Sequence, residues 1–193
     1  MRALLLTACL ALCACAPDLR VDHPFDGQTT DGPLVKAEDL GGGVTKLLID
    51  ATNKSSQVFV DLDEGRELKP DEAFETNAWE LAFRRFDISA NSGASSPTGS
   101  VEVAVLKDVD FDALAQAPAE GFSVDTPERI FNSTFEGWYF YDLGVHRLIT
   151  REELTYVVKT STGAYKKLKM LSYYDENGTP ASISLKYAAV AAP

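Results

Sequence analysis

Three observations predict an all-β fold, β-dominated with one short helix near residues 110–116. Short runs alternate apolar and polar residues. They are rich in Val, Ile, Leu, Tyr, Phe and Trp. An Asn177-Gly178 pair, the strongest short hairpin signal of the chain, separates the last two runs.

The expected strands follow in order. In 44–51, Thr45, Leu47 and Ile49 share a face; in 56–62, Val58, Val60 and Leu62 do. Asp63-Glu64-Gly65-Arg66 then reads as a hairpin turn. Residues 78–88 are expected as one strand, with Trp79, Leu81 and Phe83 on one side. Glu80, Ala82 and Arg84 lie opposite, joined by Phe86 and Ile88. Val101, Val103 and Val105 mark another strand. Trp138-Tyr139-Phe140-Tyr141 is apolar enough to be buried on both sides. The runs 156–160, 165–174 and 182–188 complete the set, and in the last Ile183, Leu185 and Tyr187 alternate with Ser184 and Lys186. Helix is expected only where Asp110 could cap a turn or two from Phe111 to Gln116. The rest of 107–134 is long and irregular, as functional or mobile segments are.

The first residues read as an export signal: Arg2, then an apolar run from Ala3 to about Leu12, too short to span a bilayer. Leu12-Cys13-Ala14-Cys15 matches a bacterial lipobox, with Cys15 as the expected lipidation site. Cys9, after Leu6-Thr7-Ala8, also fits but leaves a run shorter than the roughly 7–15 residues such a region needs. The expected organisation is a signal peptide over 1–14, a flexible tether over 15–43 rich in Pro, Asp and Gly, and one β domain over 44–190. All three cysteines fall in the leading segment, so a domain without disulfides must be stabilised by its core.

The chain carries 29 acidic against 18 basic residues, a net charge of −11. Such a chain is repelled by phosphate backbones, which argues against nucleic acid as a partner. The cluster Lys166, Lys167 and Lys169 reads as a solvated strand face. Phosphate-cradling glycine loops, His-Glu-x-x-His helices and Gly-x-Ser-x-Gly elbows are missing from the sequence. No nucleophile–base pair stands out, so the chain reads as a non-enzyme. Asp108, Asp110 and Asp112 have calcium-like spacing, but Ala113 and Ala119 stand where an EF-hand loop needs Gly and Glu. Arg84 and Arg85 are expected on opposite strand faces, one exposed and one ion-paired, or one holding an acidic ligand group. His146, in the turn after the aromatic strand, is the haem-iron ligand candidate, because a neutral imidazole among aromatic rings can bind iron. The other reading is a structural histidine at a strand end.

Two blocks carry a family resemblance. One is Ala78-Trp79-Glu80-Leu81-Ala82-Phe83-Arg84-Arg85-Phe86-Asp87-Ile88 followed by Asn91-Ser92-Gly93-Ala94-Ser95. The other is Tyr156-Val157-Val158-Lys159-Thr160 with Gly163, Tyr165, Lys167-Leu168 and Tyr173-Tyr174. With Gly137 to Tyr141 between them, they resemble the HmuY family of bacterial haem-binding lipoproteins. The resemblance implies an all-β domain on a lipid anchor at the outer membrane. It implies haem as the small ligand, for uptake or transfer to a TonB-dependent receptor. The family's iron ligands are paired histidines or methionines. Here only His146 lies in a comparable region, and Met170 reads as core. The alternative is an accessory lipoprotein of the cell envelope, binding another ligand or a membrane partner through 107–134.

Overall fold

The computed structural model describes residues 32–133 and 137–193. The expected signal, Cys15 and most of the expected tether lie outside the described residues. The chain forms β1 (Val35–Gly41), β2 (Val44–Asp50), β3 (Val58–Asp61), β4 (Arg66–Leu68), α1 (Pro70–Thr76), β5 (Leu81–Arg84) and β6 (Asp87–Ala90). It continues with β7 (Glu102–Lys107), β8 (Phe122–Ser123), a single 3₁₀ turn (Ile130–Asn132), β9 (Tyr139–Asp142) and β10 (Arg147–Thr150). The last strands are β11 (Leu154–Lys159), β12 (Tyr165–Tyr174) and β13 (Pro180–Ala189).

The strands build three sheets, in which every strand pair is antiparallel. The large one runs β1-β2-β13-β12-β11-β7-β8, the small one β4-β3-β5-β6, and β9 and β10 form a separate hairpin. Alternation decides which face is buried. Leu47 and Ile49 of β2, Val158 of β11 and Leu168 of β12 join Val60 of β3 and Leu81 and Phe83 of β5 in one core between the large and small sheets. The opposite faces are also covered. Phe59, Trp79 and Ala82, outside the small sheet, take Ala73 of α1 against them. Ala104 and Val157, outside the large sheet, are covered by Ala117, Leu114 and Phe122.

Four expectations about these elements need correction. The helix is not at 110–116. There Asp110 Oδ1 accepts from the backbone N–H of Asp112 (2.7 Å) and Ala113 (3.1 Å), closing a turn that does not propagate. The helix is α1, with Pro70 in its first turn beside Asp71 and Glu72, and Asn77 in a left-handed C-terminal cap. Pairing begins within the expected tether, since β1 runs antiparallel to β2 through the turn at Gly41-Gly42-Gly43, all with positive φ. Residues 78–88 are not one strand. They fold into a β5–β6 hairpin turning at Arg85-Phe86, with Arg85 in the left-handed region (φ 57°), and Arg84 pairs with Asp87 across its base. Trp79 precedes β5 and packs on the outer face with Phe59, ring centres 5.2 Å apart, away from Leu81 and Phe83. The irregular stretch after β7 is docked: Phe111, Ala117, Ile130 and Phe131 are all buried.

Two buried carboxylates join distant parts of the chain. Asp125 accepts from the N–H of Ala90 (2.8 Å) and Ile130 (3.1 Å) and from the Ser95 hydroxyl (2.7 Å). Gly93 sits against it, and a Cβ there would collide with the Asp125 carbonyl. Glu80 is fully buried and accepts from Leu62 N–H (2.7 Å), Ser161 N–H (3.1 Å) and the Ser161 hydroxyl (2.8 Å). Much of the sequence block around Asn91 to Ser95 is thus structural. Asn91 likewise donates through Nδ2 to the carbonyl of Trp79 at 2.8 Å.

Candidate functional site

The β9–β10 hairpin stands apart from both large layers. It is held to β12 by Leu148 N–H donating to the Tyr174 hydroxyl (3.1 Å) and by the Thr150 hydroxyl donating to the Leu171 carbonyl (3.5 Å). Its root is fixed by Trp138, which is fully buried and donates through Nε1 to the Phe86 carbonyl at 3.1 Å. Trp138 thereby ties the hairpin to the β5–β6 turn. The strand itself is not buried on both sides, as its apolar run suggested. Phe140 and Tyr141 are about half exposed, at 50% and 49%, since none of the described residues packs over the far face of the hairpin.

Between the hairpin, the β5–β6 turn and the β12–β13 turn lies a cleft of about 670 Å³. That is within the range of small-molecule sites, roughly 300–1,000 Å³. Phe86, Tyr139, Tyr141, Tyr173 and Tyr174 line the cleft, with Trp138 buried behind them. Phe86 meets Tyr139 edge-on (5.8 Å), Tyr139 meets Trp138 (5.1 Å), and Trp138 reaches Tyr173 (6.0 Å), which abuts Tyr174 (5.0 Å). Burial pushes the phenols of Tyr139 and Tyr173 above their ordinary range, so both stay neutral; at Tyr173 the nearby Arg85 works the other way. The other lip is Gly178 and Pro180.

His146 lies at the mouth of this cleft. The hairpin turn that presents it is closed by Asp142 Oδ1, which accepts from Gly144 N–H (2.7 Å) and Val145 N–H (3.2 Å). It leaves His146 in the left-handed region (φ 53°), exposed and not plugged into a sheet. Nδ1 is 3.1 Å from the Tyr141 hydroxyl. If Nδ1 carries the proton it donates to that oxygen, which fixes the ring and directs Nε2 outward as the nitrogen available to a metal. Met170, by contrast, is buried in the core, as expected.

Sequence reasoning brought forward His146 and the strand before it. It missed Arg85 and Arg147 as partners in one site. Arg85 reaches the cleft from the β5–β6 turn, its Nη1 donating to the Thr52 carbonyl at 3.2 Å. Arg147 stacks on Tyr174, its guanidinium carbon 4.0 Å from the ring centre. Arg84 goes elsewhere, into a smaller polar cleft with Ser89, Ser95 and Arg129. Only the unusual adjacency of two arginines in an apolar run hinted at a role, and it did not say which one.

The HmuY family model ("HmuY protein") matches residues 53–187. No curated protein matches the chain. Solved structures that share its fold include the following three. The apo HmuY analog of Tannerella forsythia is 17% identical with a TM-score of 0.59, covering 83% of this chain and 98% of its own. A candidate lipoprotein of Bacteroides fragilis is 16% identical with a TM-score of 0.58, covering 84% and 97%. A candidate HmuY-like haem-binding protein of Bacteroides vulgatus is 15% identical with a TM-score of 0.56, covering 81% and 97%.

Proposed function

The chain belongs to the HmuY family, and from that premise we propose that it is a haem-binding lipoprotein whose ligand lies in the cleft under the β9–β10 hairpin. One observation carries this reading: an exposed imidazole at the mouth of a cleft walled by aromatic rings. Flat rings such as those of Phe86, Tyr139 and Tyr174 suit the face of a macrocycle, and His146 Nε2 is the group to bind its iron. Among the described residues lining the cleft there is no second histidine and no methionine. Among these residues His146 would therefore be the nitrogen donor to a bound iron.

The anchor follows the same premise. Cys15 carries the lipid after cleavage, and the domain is held at the outer membrane, where a TonB-dependent receptor accepts the haem. Among the described residues no helix is long and apolar enough to cross a membrane, and the Bacteroides fragilis neighbour is described as a candidate lipoprotein. The protein acts by holding its ligand, without covalent chemistry.

Titration with haemin tests the reading. The wild-type protein should give a sharpened, shifted Soret band at one equivalent. His146→Ala should lose the shift while its far-ultraviolet spectrum stays that of the wild type. Spectra matching free haemin for both proteins would overturn it. Labelling with a palmitate analogue that survives Cys15→Ser would overturn the anchor assignment.

A further inference from the structure

The charge inside the cleft runs against that of the molecule. The chain has 29 acidic and 18 basic residues, yet among the described residues lining the cleft none is Asp or Glu, and the charged ones are Arg85 and Arg147. Both guanidiniums are held in place. Arg85 is pinned by the Thr52 carbonyl and Arg147 by the face of Tyr174. Among the described residues neither has a carboxylate partner within ion-pair distance, whereas Arg66, Arg84 and Arg129 all do. A planar guanidinium fork matches a carboxylate in geometry and charge. Two such forks beside aromatic rings are complementary to a flat, apolar ring system bearing carboxylates. A neutral or cationic ligand would leave both charges uncompensated.

We propose that Arg85 and Arg147 are the specificity-determining residues of the cleft, pairing with the carboxylates of a tetrapyrrole, and that the ring and its acid groups are recognised whether or not a metal is bound. This rests on the proposed haem site and deepens it. It makes the protein a binder of anionic porphyrins as a class. His146 then adds to the affinity for the iron form without setting which ring system enters.

Two porphyrins separate the possibilities. Purified protein is titrated with haemin, followed by its Soret band, and with metal-free protoporphyrin IX, followed by its fluorescence. Both should bind, with affinities within about tenfold of each other, since a single added ligand bond competes with the macrocycle's whole burial. His146→Ala should weaken haemin only. Arg147→Gln, at an exposed position, should weaken both porphyrins on the order of tenfold, as loss of one charge-assisted pair does. Arg147→Lys should recover part of the loss, and Arg85→Gln with Arg147→Gln should abolish binding of the metal-free form. Haemin binding with no binding of metal-free porphyrin would overturn the inference and leave the haem reading standing. Binding of both, unaltered in the arginine variants, would also overturn it. Failure of both porphyrins to bind would overturn the haem reading itself.

Discussion

The two ends of the small sheet treat their polar and apolar groups in opposite ways. Around Asp125 and Glu80, carboxylates are buried and every oxygen faces a donor, most of them from distant segments. At the β9–β10 hairpin, apolar side chains stand in water: Leu143 is 76% exposed and Val145 59%. A buried carboxylate without donors would unfold the region, so the first arrangement is required by the fold. Exposed leucine and aromatic rings gain the fold little. The apolar groups of the hairpin thus contribute little to the packing of the described residues, and the aromatic cleft lies at its base.

This contrast can be broken most severely at Asp125. Asp125→Ala leaves the N–H groups of Ala90 and Ile130 without their partner in the interior. We expect a loss of about 3–5 kcal/mol, seen as a lower urea midpoint, while any haemin-induced Soret shift survives in the molecules still folded. A loss under about 1 kcal/mol would mean the clasp is not what fixes 125–132 to the small sheet.

Glu80 gives a smaller effect with a definite sign. Burial raises its carboxyl to about 7 from an ordinary 4.5, against the pull of the Leu62 and Ser161 hydrogen bonds. Between these values the native chain holds a proton that the unfolded chain has released. Stability from this group is thus greatest below pH 4.5 and declines as pH rises toward 7. Urea midpoints measured from pH 5 to pH 8 should fall on this account, and Glu80→Gln should flatten that slope. A slope identical in both proteins would assign the pH dependence to other groups.

The least disturbing change is at the hairpin tip. Leu143→Ser and Val145→Ser should move the unfolding free energy by less than about 0.5 kcal/mol each, since neither side chain is buried. A larger loss would show that the tip packs on something in the isolated protein.

How much of this could be read from the sequence depended on how local the cause was. Strands β2, β12 and β13 followed from alternation, and the Asn177-Gly178 turn between the last two from its residues, with Gly178 at φ 83°; that β13 also pairs with β2 did not. The β5–β6 turn was hidden because its residues are Arg85 and Phe86, neither of which signals a left-handed bend. Strand β1 was hidden because its register comes from β2 and not from any pattern of its own, only Val35 being buried. Helix α1 did carry a signal, Pro70-Asp71-Glu72, but its core face is a single alanine. Of the site, His146 and the strand before it were legible from an aromatic run ending in a turn. Arg85, Arg147 and Tyr174 meet there only because three hairpins distant in the chain converge on one corner, and no spacing rule encodes that.

The backbone at Arg85 places two demands on one position. A left-handed bend is an uncomfortable shape for any residue with a Cβ, and glycine would adopt it freely. Glycine would also erase the cation that faces the cleft. A single substitution at residue 85 cannot both relax the turn and keep a guanidinium at the cleft.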